Sequence, residues 1–163
     1  MNLQILLQTV AIGAFATLIM DIGALVGFRA GLAGHGPRRQ GLEFIGRWIG
    51  YLMRGKIQHE DILLSHPLSG EERLGLIAHY ATGIGLALVF VMVLSVIDTV
   101  PSIWVGLAYG TVSVILPWFL YFPAIGAGKM GRAVSPGMEM ARASFLTHAL
   151  YGLGLGLGSI LFV

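Results

Sequence analysis

Four long apolar stretches constrain this chain more than any other feature of its sequence. They cover residues 3–28, 74–97, 100–125 and 143–163, and each reaches the roughly 20 residues that a helix needs to cross a bilayer core. The last three contain no Lys, Arg, Asp or Glu, and the first contains only Asp21. Charged residues make up 11% of the chain, too few to cover a globule in water. The sequence therefore predicts an all-α membrane protein with four transmembrane helices.

The basic residues predict how these helices are oriented. All ten Lys and Arg residues fall in the segments 29–73 and 126–142, whereas the turn between the second and third stretches offers only Asp98. The positive-inside rule then places both segments in the cytoplasm and both termini outside. We expect the first stretch to be retained as a span, because it lacks a basic leader and is too long for a signal peptide.

The second and fourth stretches share a pattern of six residues at identical spacing. It reads Arg-x5-His-x3-Gly-x-Gly-Leu-x-Leu, starting once at Arg73 and again at Arg142. We interpret the chain as a single membrane domain, 1–163, built from two repeated hairpins that point the same way. The first repeat is 3–97, with an inserted cytoplasmic loop 29–73, and the second is 100–163.

The inserted loop contains an amphipathic stretch at about residues 40–54. Its apolar residues recur at helical spacing around Trp48, which predicts an interfacial helix at headgroup depth, although a helix packed on the protein's cytoplasmic face would read the same way. The polar segment 58–66 that follows is expected to be a solvated loop. Pro117 should kink the third helix. Turn residues at 34–37 should end the first helix, and Ser135-Pro136 should begin the fourth.

Three ionisable groups lie inside the apolar stretches and are predicted to share one depth. His79 and His148 each follow the arginine of the repeated pattern by six residues, and Asp21 precedes Arg29 by eight. At about 1.5 Å per residue, all three lie roughly 9–12 Å from the cytoplasmic basic residues. Such groups normally face a protein interior or a wet cavity, because burying a charge in hydrocarbon is costly.

Four interpretations of these groups remain open. They could form interhelical hydrogen bonds that only stabilise the bundle, or line a polar cavity for a small solute or proton. Asp21, His79 and His148 could also bind a divalent metal ion, although no short ligand spacing supports a metal and no other cofactor is indicated. Catalysis with His79 or His148 as general base is the fourth.

The segment Gly46-Arg47-Trp48, with a spaced series ending in His79-Tyr80-x-x-Gly83, resembles a family of small bacterial inner-membrane proteins, domain-of-unknown-function family 2938. The spaced series is Gly55, His59, Ile62, Pro67, Glu72 and Gly75, and the motifs around Asp21 and Gly126 also fit. One departure is Leu76, where the family pattern leads us to expect Trp. The resemblance implies four spans in the inner membrane and no established activity. The residues that it singles out are Asp21, Arg47, Trp48, His59, Glu72, His79, Tyr80 and His148.

Our leading functional hypothesis is a cytoplasm-facing polar pocket that binds or moves a small polar solute, ion or proton. Asp21, His79, Tyr80 and His148 would build it, and the loop 34–70 would cover it. The alternative is a structural or assembly subunit whose polar residues fix helix packing. A membrane enzyme ranks third, so we expect a binding or transport protein more than an enzyme. The expected partners are membrane lipids and a second copy of the chain, and nothing suggests nucleic acid.

Overall fold

Helices follow the four apolar stretches closely. The structure, a computed structural model, describes residues 2–29, 38–134 and 138–162, and these ranges contain helices and turns but no strand. The all-α prediction is therefore confirmed for the described residues. The helices are α1 (Leu3–Arg29), α2 (Arg38–Leu52), α3 (Glu71–Val96), α4 (Ile103–Ser113), α5 (Phe122–Ala124) and α6 (Glu139–Phe162).

Four helical segments of the described chain are long and apolar enough to cross a membrane. They run over Leu3–Gly27, Glu71–Val96, Ile103–Ala124 and Glu139–Phe162. Large apolar side chains lie on their outer surfaces, among them Val96, which is 85% exposed, and Trp104, which is 79% exposed. Water does not favour so much exposed apolar surface, whereas lipid does. The length and composition of these four helices thus agree with the predicted membrane spans.

The third span is irregular where Pro117 was expected to disturb it. Regular α-helix ends at Ser113, a π-helical turn covers Pro117–Tyr121, and α5 follows directly. Proline has no amide proton to donate to the preceding turn, so the backbone widens, and the Phe122 amide bonds to the Pro117 carbonyl across the turn.

The amphipathic stretch is a helix, as predicted, with α2 lying two residues earlier than the expected range of 40–54. The predicted end of the first helix at 34–37 and the predicted start of the fourth at Ser135-Pro136 lie outside the described residues.

Two compact units divide the chain. The first, here called the apolar unit, comprises Met1–Ala24, Tyr80–Ser113 and Phe145–Val163; the second, the basic unit, comprises Leu25–His79 and Val114–Ser144. All ten Lys and Arg residues and six of the eight acidic residues fall in the basic unit by sequence. Its formal charge is therefore +4, against −2 for the apolar unit.

The two repeated hairpins, 3–97 and 100–163, stay a prediction.

Small residues bring the helices of the apolar unit close together. A Cβ at Gly110 would collide with the backbone of Gly152, and one at Gly154 would meet Ala16 at 2.6 Å from its Cα. The apolar core of this unit includes Phe90 and Leu155. Close backbone approach of this kind supports helix packing in lipid, where apolar surface gains nothing by leaving water.

In the basic unit, α2 crosses the start of α3 at close range. A Cβ at Gly46 would collide with the Glu71 carbonyl, and one at Gly75 with the Leu42 carbonyl. The crossing therefore requires the two glycines, which explains physically why Gly46 and Gly75 stand where they do.

The segment 58–66 was expected to be solvated, and that expectation is wrong for two of its residues. His59 and Ile62 are buried. The His59 amide donates to the Ala124 carbonyl at 2.9 Å, and the Ile62 amide donates to the Ile125 carbonyl at 3.0 Å. Because these two backbone bonds fix the loop against the end of the third span, Ile62 joins a small apolar cluster there with Phe122.

Candidate functional site

Asp21 is buried on α1 of the apolar unit and is hydrogen-bonded across to α3. The residue is 6% exposed, and the Tyr80 hydroxyl donates to Oδ2 of its carboxylate at 3.1 Å. A carboxylate in the hydrocarbon region costs about 3 kcal/mol on insertion scales, so a membrane protein retains one at a measurable cost. The arrangement can exchange a proton or accept a hydrogen bond from a bound solute.

His148 makes a different hydrogen bond in the same unit. Its Nδ1 lies 2.7 Å from the Ser113 hydroxyl, which itself donates to the Gly110 carbonyl at 2.6 Å. Since serine has one hydroxyl proton, that proton goes to Gly110, and His148 Nδ1 must act as the donor. The bond joins α6 to α4, whereas the Asp21 bond joins α1 to α3.

The predicted convergence of Asp21, His79 and His148 stays a prediction. Asp21 and His148 lie in the apolar unit with Tyr80 and Ser113 as partners, and His79 is a half-buried residue of the basic unit. No group of three His, Asp or Glu side chains suited to a metal ion occurs within 2–29, 38–134 and 138–162. The metal hypothesis therefore gains no support.

Arg47 and Glu71 form a buried ion pair in the basic unit. Arg47 Nε donates to Glu71 Oε2 at 2.9 Å, and Nη2 donates to Oε1 at 2.6 Å. The two side chains are 8% and 10% exposed. Hydrogen bonding to Glu71 raises the pKa of the Arg47 guanidinium above its usual value, although burial opposes this. Such a two-bond arrangement is the strong, geometrically specific form of an ion pair.

The ion pair also fastens the inserted loop. Arg47 Nη1 donates to the carbonyls of Ile62 and Ser65 at 3.3 and 3.4 Å, while Glu71 Oε2 accepts the Leu68 amide at 2.7 Å. Because its donors are used within the protein, Arg47 is suited to holding α2, the loop and α3 together. This geometry favours a structural role over ligand binding.

Two further residues singled out by the family resemblance, Trp48 and Glu72, are the sequence neighbours of this pair. The Trp48 indole donates to the Ile57 carbonyl at 2.9 Å and contacts the Tyr121 ring edge-to-face at 5.5 Å. Glu72 is exposed, and its neighbour Glu71 is the one that contacts Arg47. Sequence reasoning missed Glu71 and Ser113; the one available signal was the adjacent pair of glutamates at the start of α3.

His59 is the least expected polar group of the basic unit. It is 5% exposed, and within the described part of the chain neither ring nitrogen has a hydrogen-bond partner. Its ring contacts the Tyr51 ring edge-to-face at 5.1 Å. Burial lowers the pKa of His59 below its ordinary value near 6.5, the positive charge of Lys56 lowers it further, and the backbone of Ala124 opposes the shift.

This environment predicts a pH dependence of stability. The lowered pKa means that the unfolded chain takes up the proton first, so the free energy of unfolding should fall as the pH drops below about 6.5, by at most about 1.4 kcal/mol per pH unit. His59→Phe should remove this contribution, and the matched change at the exposed His66, His66→Phe, should keep it. Chemical unfolding in detergent between pH 7.5 and 5 measures the slopes. Equal slopes for the two variants would contradict the prediction.

Comparison with known proteins places the chain in a family. A family model described as "Protein of unknown function (DUF2938)" matches residues 10–162. Neither the curated proteins nor the solved structures contain a match. The matched range covers nearly the whole chain and includes Asp21, the Arg47–Glu71 pair and His148. The chain therefore belongs to the DUF2938 family.

Proposed function

We propose that this integral membrane protein binds or passes a small polar solute, ion or proton through a site centred on Asp21 and Tyr80. The observation that carries the proposal is the Asp21 carboxylate, which is buried in an apolar span and hydrogen-bonded by Tyr80 at 3.1 Å. An ionisable group at membrane depth is by default a functional one, since packing alone is achieved more cheaply with apolar side chains.

The proposal includes an orientation. The charge of the basic unit, +4 against −2 for the apolar unit, supports a cytoplasmic location for the basic unit and an outside location for both termini. The site would then lie toward the cytoplasmic side of the first span, eight residues before Arg29.

Proton passage is the form of the proposal that can be tested without knowing a solute. Purified protein is reconstituted into vesicles that enclose a pH-sensitive dye, and a pH step is applied. We expect the protein to speed equilibration over empty vesicles and Asp21→Asn to return it to the empty-vesicle rate, because the amide cannot take up the proton. Asp98→Asn, the same chemical change in an exposed turn, is the matched control and should retain the wild-type rate. Tyr80→Phe should give an intermediate rate.

A second candidate function, a structural or assembly subunit, is supported by a specific set of contacts. Polar side chains of the apolar unit bond across helices: Ser113 with His148 at 2.7 Å, Tyr151 with the Gly83 carbonyl at 2.6 Å, and Tyr109 with the Leu86 carbonyl at 2.8 Å. Interhelical bonds of this kind contribute about 0.6 kcal/mol each. If the polar residues only fix packing, Asp21→Asn and His148→Ala will lower thermal stability alike, and neither will change the dye response.

A further inference from the structure

An open depression of about 390 Å³ lies between the end of α2 and the start of α3 in the basic unit. Met53, Leu68 and Leu74 give it an apolar side, and Arg54 and Ser69 give it a polar side. The remaining charged group that lines it, Glu71, is neutralised by its ion pair with Arg47. The depression is therefore amphipathic, with a net positive rim.

A second cation, Lys56, contacts the same aromatic ring as Arg54. The Arg54 guanidinium lies 5.9 Å from the centre of the Tyr51 ring, and Lys56 Nζ lies 5.5 Å from the same centre. Both side chains are exposed, and each makes a cation–π contact with the Tyr51 ring.

The position of the depression fits a membrane surface. Glu71 and Leu74, which line it, belong to the first turn of a helix long enough to span a bilayer, and such a turn lies at headgroup level. The chain just beyond α2 also exposes large apolar side chains, with Met53 78% and Ile57 60% exposed. Exposed apolar residues interleaved with Arg and Lys are typical of segments that lie in the interface.

We propose that this depression is a binding site for one anionic phospholipid. The phosphate would be held by Arg54 and Lys56 with the Ser69 hydroxyl, and the glycerol backbone and upper acyl chains would pack on Met53, Leu68 and Leu74. Charge complementarity selects the anionic lipid over a zwitterionic one, and the apolar side distinguishes a lipid from free phosphate.

The test uses the full chain in neutral detergent, with thermal unfolding followed as lipid is added. Phosphatidylglycerol should raise the unfolding temperature in a saturable way, whereas phosphatidylcholine with the same acyl chains and inorganic phosphate at the same concentration should leave it unchanged. The double variant Arg54→Gln/Lys56→Gln should raise the half-saturating phosphatidylglycerol concentration by about 30-fold.

The matched control carries the same charge change elsewhere in the basic unit. Lys129→Gln/Arg132→Gln also removes two exposed cations. Neither residue lines the depression, and neither makes one of the cation–π contacts to the Tyr51 ring that Arg54 and Lys56 make, so the half-saturating concentration should stay within about twofold of the wild type. Arg54→Lys/Lys56→Arg retains both charges and should bind like the wild type.

The unfolding temperature without lipid shows first that each variant folds. Equal weakening in the control double variant, or equal stabilisation by phosphatidylcholine, would overturn the proposal. Stabilisation by inorganic phosphate alone would instead identify a soluble anion site and would equally overturn it.

Discussion

Replacing Arg47 by alanine should lower the free energy of unfolding by about 3 kcal/mol, the lower end of the range for breaking a buried ion pair. The change leaves the Glu71 carboxylate buried without its cation, and it also removes the donor to the Ile62 and Ser65 carbonyls. Loss of a buried partner costs more than the pair contributes, because the remaining charge is desolvated and uncompensated.

Glu72→Gln is the matched control, since Glu72 is the exposed neighbour of Glu71 on the same first turn of α3. It should change stability by less than about 0.5 kcal/mol. The double variant Arg47→Met/Glu71→Leu should recover part of the loss, because no buried charge remains. Chemical unfolding in detergent measures all three, and an Arg47→Ala protein as stable as Glu72→Gln would contradict the structural role of the pair.

The architecture of the spans could be predicted because it rests on local properties of the chain. Four uninterrupted apolar stretches satisfy the length requirement of a bilayer without reference to any partner, and the period of α2 is visible within its own 15 residues. The disturbance at Pro117 follows from the covalent structure of one residue.

The ion pair could not be predicted, because it joins residues 24 positions apart. Glu71 and Glu72 are adjacent, so a helix turns them about 100° from one another, and only one of them can face α2. Which one does so depends on the close crossing at Gly46 and Gly75, a tertiary feature. The burial of His59 escaped prediction for the same reason, since a polar segment gives no sign of the carbonyl at Ala124 to which its backbone bonds.

Residue counts predict the depth of the polar groups in the membrane, but they do not predict which neighbouring helix each side chain faces. A count along a helix gives height and leaves the facing direction dependent on packing. In the structure Asp21 faces Tyr80 on α3, and His148 faces Ser113 on α4. Ser113 could not be selected from the sequence, since other hydroxyl residues lie at comparable heights in the same stretch, whereas Tyr80 was predicted to line the same pocket as Asp21.

The proposed membrane topology predicts that each exposed position either reacts fully with a reagent added from outside or does not react at all. The protein contains no cysteine, so a single introduced cysteine is the only thiol available to a reagent. Arg54 and Lys129 are exposed residues of the basic unit, and Asp98 is an exposed residue of the turn after α3. If the basic unit is cytoplasmic, cysteines at the first two positions should be protected in a sealed vesicle and a cysteine at the third should be accessible.

The central claim is that the chain spans the membrane four times with its basic unit in the cytoplasm. The most direct test is to label these single-cysteine variants in right-side-out membrane vesicles with a maleimide that cannot cross the bilayer. We expect complete reaction of Asp98→Cys, background reaction of Arg54→Cys and Lys129→Cys, and full reaction of all three once the vesicles are permeabilised. Reaction of Arg54→Cys or Lys129→Cys in sealed vesicles, or protection of Asp98→Cys, would contradict a four-span protein whose basic unit lies in the cytoplasm.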